Sequence, residues 1–239
     1  MTHHIFTIAR REFTAYFTSP IAYVYLITFL VVVNWLFFRG FFLIGQADMR
    51  SFFSMMPWIF LFFIPAVSMG KWAEERRQGT LELLFTLPIR DIDIVIAKFF
   101  AALALIITAL FLTAPLFLTV LFLGNADLGQ MLCGYTGLIL LGSAYLTVGL
   151  FISSLTESQI IAFIAGVALS FLLLILGTPM LTGGASNILS QAMQYMGLAF
   201  HFESIGRGVL DSRDLFYYFS VTGLFLFLNL KVLERRARR

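Results

Sequence analysis

Six separate runs in this sequence are each about as long as a bilayer's hydrocarbon core is thick. Nothing else in the chain constrains its fold as strongly. A helix needs about 20 predominantly apolar residues to cross that core. The runs are 21–44, 52–69, 94–123, 131–152, 160–181 and 215–233. The third is long enough to begin as an amphipathic stretch at the interface before it enters lipid. A helix satisfies its own backbone donors and acceptors within lipid. The expected fold is therefore all-α, one polytopic domain over residues 1–239 with six transmembrane helices. Composition closes off the soluble alternative. The chain is 60% hydrophobic and 12% charged, against about 25% charged residues in an average soluble domain.

Six spans put both termini on one side. That side carries Arg10, Arg11, Lys71, Arg76, Arg77, Arg90, Lys98, Lys231, Arg235, Arg236, Arg238 and Arg239, and the other carries Arg39, Arg50, Arg207 and Arg213. Short loops rich in Lys and Arg stay in the cytoplasm, so both termini are expected there. The basic tail ERRARR reads as an anchor on the anionic inner leaflet, not as a nucleic-acid site. The start, MTHHIFTIARREF, lacks the apolar core and cleavage site of a signal peptide. The single Cys133 excludes a disulfide framework within the chain. Over residues 4–17, Ile5, Ile8, Ala9, Phe13, Tyr16 and Phe17 recur at helical spacing, interrupted by Arg10, Arg11 and Glu12. This predicts an amphipathic helix in the interface, and Ser19-Pro20 marks the turn into the first span. The loop 153–159 is very short. The loop 182–214 is long and outside, and its apolar stretch is only about half a span. One or two short helices, re-entrant or interfacial, are expected there.

Catalytic patterns are missing. His201 is isolated in sequence, and His3-His4 stands far from other candidate ligands, so no metal site is expected. No Asp or Glu falls in the core of a span, and no inverted repeat is evident, which argues against an ion-coupled carrier. Asn34 and Asn229 read as hydrogen bonders between helices. Ala162, Gly166 and Ser170 form a small-residue stripe suited to close helix packing, more within one subunit than across a pathway. Gly70-Lys71 is the only Gly-Lys pair, and residue 65 is Pro where a phosphate-binding loop has Gly. No cofactor is expected on this chain. An ATP-driven process would need its engine on another polypeptide.

The stretch 69–99 concentrates five acids and five bases in a chain otherwise nearly uncharged. Glu74, Glu75, Arg76 and Arg77 extend the second helix out of the membrane, and Gly79 ends it in a left-handed conformation. Thr80 can cap a following short helix, with Glu82 suiting its dipole. Leu81, Leu84 and Phe85 form an apolar stripe, Leu83 and Leu87 lie beside it, and Pro88 stops the helix. Asp91 can cap the run into the third span. A two-turn helix is not stable alone. It lies on lipid headgroups or seats in a groove of a cytoplasmic partner, and spacing leaves both open.

EERRQGTLELLFTLPIRDIDIVIAKF resembles the signature of ABC-2 type permeases, E-x-x-x-G-T-L-E-L-L-x-x-x-P. Glu75, Gly79, Thr80, Leu81, Glu82, Leu83, Leu84 and Pro88 match it. GLFISSLTESQIIAF resembles that family's turn between the fourth and fifth helices. HFESIGRGVLDSRDLFYY resembles its external segment before the last helix. With TSPIAYVYL and PWIFLFFIPAVSM, the likeness covers nearly the whole chain, and it is nearest to the gliding-motility-type branch. The resemblance implies an ABC-2 (type V exporter-like) permease fold in a bacterial inner membrane. Residues 4–17 would be the connecting helix, 71–98 the coupling loop and 182–214 the external re-entrant segment, where His201, Glu203 and Arg207 lie. It also implies partners: two ATPase subunits carrying ATP and Mg, and a second permease unit, the same chain or another. A membrane subunit with a large periplasmic part often accompanies this branch. The ATPase contact would fall on Glu74, Glu75, Arg76, Arg77, Gly79, Thr80, Leu81, Glu82, Leu83, Leu84, Phe85 and Pro88. A second, weaker contact would fall on Ser154, Thr156, Glu157 and Gln159. Two functions follow from the resemblance. One is an export permease. The other is a subunit that transmits force to a periplasmic or lipid-embedded partner without classical transport. The signature does not fix the substrate.

Overall fold

The computed structural model describes residues 2–44, 49–81, 89–123, 127–176, 178 and 188–237. Among these residues the chain forms helices and no strand. Helix α1 (Thr2–Thr18) stops where Ser19 Oγ accepts the Ile21 N–H at 3.3 Å, and Pro20 opens α2 (Pro20–Ile44). Then come α3 (Arg50–Ser68) and α4 (Gly70–Arg77), which together make one 28-residue apolar stretch with Pro57 and Pro65 inside α3. The chain continues through α5 (Asp91–Phe111), α6 (Ala114–Leu123), α7 (Leu128–Leu155) and α8 (Gln159–Ile175). It closes with α9 (Ile188–Met196), α10 (Leu198–Gly206) and α11 (Ser212–Ala237).

Among the described residues, five stretches are long and apolar enough to cross a membrane: Pro20–Phe41, Arg50–Arg77, Asp91–Leu123, Leu128–Leu155 and Ser212–Arg236. The fifth expected run is shorter than its sequence suggests. Helix α8 is apolar but has 17 residues. Thr178 precedes Pro179, whose ring disfavours helical backbone at the residue before it. The Thr178 N–H and hydroxyl both donate to the Ile175 carbonyl, at 2.9 and 2.8 Å, and finish the helix.

The third run is also broken, between α5 and α6. Pro115 has no N–H and its ring crowds the preceding turn. Thr113 takes up the slack: its hydroxyl donates to the Leu110 carbonyl at 2.6 Å and lies 2.9 Å from the Tyr135 hydroxyl. At the start of α5, Arg90 rather than Asp91 holds the cap position, in extended backbone and without a side-chain cap bond. Asp91 is instead the first helical residue, where its charge suits the dipole. Asn34 donates within its own helix, to the Leu30 carbonyl at 2.7 Å. Asn229 is fully buried, with neither amide atom hydrogen-bonded. Neither asparagine makes the bond between helices that its position suggested.

Helix α7 is the axis of the bundle. In its apolar window 78% is buried, against 28% for α2 and 17% for the last helix, so those two form the rim. The stripe Ala162, Gly166 and Ser170 faces inward on α8, and a Cβ on Gly166 would sit 3.5 Å from Pro65 and 3.9 Å from Gly149. This stripe packs within one chain. The apolar side of α1 does likewise, with Phe13, Tyr16 and Phe17 against the core.

Candidate functional site

The charged residues gather at one end of the bundle, where α3 passes into α4 beside the last turns of α7. Gly149 permits the approach: a Cβ there would lie 2.0 Å from Ser68 Oγ. One turn further on α7, Ser153 splints the joint. Its hydroxyl donates to the Met69 carbonyl at 2.7 Å and accepts from the Trp72 and Ala73 N–H groups, each at 3.2 Å. One buried hydroxyl thus serves backbone groups that the α3–α4 boundary leaves short of partners.

Lys98, on α5, is 2% exposed. Its ammonium donates to Glu75, to Glu12 Oε1 at 3.4 Å and to the Lys71 carbonyl at 3.4 Å, and it lies 4.9 Å over the Trp72 ring. Lys71 pairs with Glu12 Oε2 at 3.1 Å and sits 3.7 Å over the Tyr16 ring. A buried ammonium needs compensating charge, and here α1 and α4 each supply a carboxylate. Burial alone raises the pKa of Glu12, but the charges and hydrogen bonds of Lys98 and Lys71 outweigh it and hold the carboxyl below its ordinary value of 4.5. Burial, and then the Glu12 charge, push the Tyr16 phenol up.

On the other flank of α4, Glu74 accepts from the Gln159 side-chain amide, from Gln78 at 2.6 Å and from Arg77 at 3.0 Å. Arg76 pairs with Glu157 at 2.6 Å and reaches the Leu155 carbonyl at 3.5 Å. Arg236 of α11 donates to that same carbonyl at 2.9 Å. Both terminal helices therefore meet the junction. Ser154 is buried and bonds the Phe151 carbonyl at 2.6 Å, while the Thr156 hydroxyl accepts the Ser158 N–H at 3.2 Å. Gly79 has φ +68°, the left-handed stop expected of it, and Leu81 is buried. The Thr80 hydroxyl donates backward, to the Glu75 carbonyl at 3.1 Å. Glu82, Leu83, Leu84, Phe85 and Pro88 lie outside the described residues.

The expected contact residues on α4 thus already have partners inside the chain, some of them from the 153–159 turn. Sequence reasoning missed Glu12 as a member of the site, the splint that Ser153 makes and the central place of Lys98. The only local signal was a lysine next to an apolar run with no acid one turn away.

At the opposite end, His201 has company that its sequence neighbourhood does not show. Its Nδ1 lies 2.6 Å from Asp214, its Nε2 3.0 Å from the Tyr195 carbonyl, and Tyr217 stacks on the ring at 3.9 Å. Ser204 donates to the other Asp214 oxygen. The cluster ties α10 to the start of α11. Glu203 and Arg207 form an exposed pair at 3.5 Å.

The sequence profile described as ABC-2 family transporter protein matches residues 6–236. The chain belongs to that family. Membrane proteins of the ABC-2 family are subunits of ABC transporters and work with an ABC ATPase partner. No curated protein matches the sequence. Its family, its five long apolar stretches and its helical fold make the chain a multi-pass membrane protein, a permease-type subunit.

Proposed function

We propose that this chain is the export permease of an ABC-2 complex in a bacterial inner membrane, with α8 as the sixth span and both termini in the cytoplasm. Two ATPase subunits, bearing ATP and Mg, would seat the short helix at 80–87 in their grooves. The family likeness adds a second permease unit, this chain or another, and the branch likeness adds a membrane subunit with a large periplasmic part. The observation that carries this reading is the α4 junction. A push on the 71–98 loop enters a contiguous network that reaches α1 through Glu12, α5 through Lys98, the α7–α8 turn through Glu157 and Gln159, and α11 through Arg236. Packed networks of this kind carry coupling between sites when they have two arrangements. Closure of the ATPases on ATP would supply the second arrangement, and α3, continuous with α4, would tilt with it.

Force transmission to another membrane partner would use the same junction, and the nearly uncharged spans suit a lever as well as a pathway wall. Purification from native membranes in mild detergent, followed by ATPase and vesicle-export assays, separates these outcomes. The expected result is a bound P-loop ATPase that is lost in Leu84→Asp. In Ser153→Ala the ATPase stays bound, but its stimulation and export fall together. Stimulation without export of any cargo would favour force transmission. A permease that captures no ATPase, under conditions that preserve a control complex, would overturn both readings.

A further inference from the structure

The fold turns the apolar side of α1 into the bundle, where Phe13, Tyr16 and Phe17 pack against the core. The strip left exposed holds Thr7, Arg10, Arg11, Thr14, Ala15 and Thr18, with Phe6 exposed beside it. In sequence, Arg10, Arg11 and Glu12 nearly cancel. In the fold they part. Glu12 turns inward to Lys71 and Lys98, while Arg10 and Arg11 are exposed, and neither guanidinium pairs with a carboxylate among the described residues. The Thr14 and Thr18 hydroxyls donate within the helix, to the Arg10 and Ala15 carbonyls, each at 2.9 Å. The two guanidiniums are therefore the charged donors that this face holds outward. Just past Thr18 the exposed surface changes character. Ile21, Val24, Ile27, Val31 and Trp35 are each more than 60% exposed on α2, within its membrane-spanning stretch. The change from basic to apolar falls at Ser19-Pro20, and it marks the level at which headgroups give way to hydrocarbon.

We propose that the exposed face of α1 binds the headgroups of anionic phospholipids through Arg10 and Arg11. An amphipathic helix ordinarily holds a membrane by burying its apolar side in it. Here that side is already taken by the protein, so the helix meets its surroundings through charge. A planar guanidinium binds phosphate through two parallel hydrogen bonds. A zwitterionic headgroup would bring its own cation to the two arginines, and an anionic one does not. Continuity with α2 selects a lipid over an acidic protein. Arg11, Thr14, Thr18 and Ile21 follow one another at the spacing of a single helix face, so the side of the chain that meets acyl chains at Ile21 carries a guanidinium at Arg11. The bound headgroups would hold in place the helix that supplies Glu12 to Lys98. The proposal requires only that the chain span a membrane, and it stands whether or not an ATPase drives it.

The test places a bimane label on Thr14→Cys in a Cys133→Ala background. Ile160→Cys, exposed at the start of α8, carries the label as a control. The full chain is reconstituted in phosphatidylcholine vesicles with phosphatidylglycerol or phosphatidylcholine that bears a nitroxide high on one acyl chain. Quenching at position 14 should be stronger with the phosphatidylglycerol probe, and quenching at position 160 should be the same with both. Arg11→Gln should raise the phosphatidylglycerol fraction that half-quenches the label about fivefold, the surface attraction of one basic residue. Arg10→Gln with Arg11→Gln should remove the excess, and Arg10→Lys with Arg11→Lys should keep part of it. The thermal midpoint should hold in all of them, because neither guanidinium has a partner among the described residues. Several results would overturn the proposal. Equal quenching by the two probes at position 14 would show only bulk lipid, and an equal excess at position 160 only the net charge of the chain. Loss of the excess on adding inorganic phosphate at constant ionic strength would make the ligand a free anion. An excess that survives both glutamines would remove the arginines from the site, and if that variant also loses the ATPase from native membranes, the face is a protein contact.

Discussion

Lys98 is the residue on which the junction turns. Its ammonium is almost wholly buried between two half-buried carboxylates on different helices. Replacing it with methionine keeps the stem but takes the cation from Glu75 and leaves Glu12 with Lys71 alone. Removing one partner of a buried ion pair typically costs about 3–5 kcal/mol, and partial exposure of the acids places Lys98→Met near the lower end. Denaturant unfolding in detergent should show that loss, and Lys98→Met with Glu75→Gln should recover part of it. Glu12 adds a pH dependence whose sign is set by its depressed pKa. Folding favours the ionised carboxyl, so its contribution is complete above the ordinary value of 4.5 and is lost as pH falls through the lower folded value. Thermal midpoints followed below that pH should drop, and Glu12→Gln should flatten that part of the curve.

Between elements, the α3–α7 crossing depends on one missing side chain. Gly149 faces Ser68, itself fully buried, so even an alanine there forces Ser68 to shift. Gly149→Val should cost about 1–3 kcal/mol as overpacking. Ser68→Gly in the same chain should return part of that, measured by unfolding of the single and double variants. A recovery would locate the strain at this crossing and not elsewhere on α7. The end of α4 is also set by conformation. Gly79 adopts φ +68°, and an alanine there pays about 1–2 kcal/mol for left-handed backbone. Amide exchange over residues 76–81 should quicken in Gly79→Ala.

Across the whole molecule, the two ends differ in chemistry. The junction end is held by ion pairs among α1, α4, α5 and the α7–α8 turn. The far end is held by the His201–Asp214–Ser204 cluster and by the Tyr218 hydroxyl on the Leu198 carbonyl at 2.9 Å. Counting α8 as a span places these ends on opposite sides of the membrane. In a Cys133→Ala background, Glu157→Cys should react with a membrane-impermeant maleimide only in inside-out vesicles, and Asp211→Cys only in right-side-out cells. Reaction of both from the same side would remove α8 from the spans.

The long apolar runs, the Ser19-Pro20 turn, the short helices within 182–214 and the stop at Gly79 were all legible in the sequence. Each follows from a local rule: the length that lipid demands, the missing donor of proline or the backbone freedom of glycine. The break at Pro115 and the early end before Pro179 follow from equally local rules, but unbroken apolar composition masks them. The charged network was not legible. Lys98 meets Glu12 across 86 positions and Ser153 meets Trp72 across 81, and no periodicity sets such pairs. His201 meets Asp214 only because α10 folds back onto the start of α11. Sequence by itself determined where the long apolar helices lie, because those depend on each segment's own hydrogen bonds and solvent. Only the tertiary structure decided which charges neutralise one another, because that depends on how the helices pack around α7.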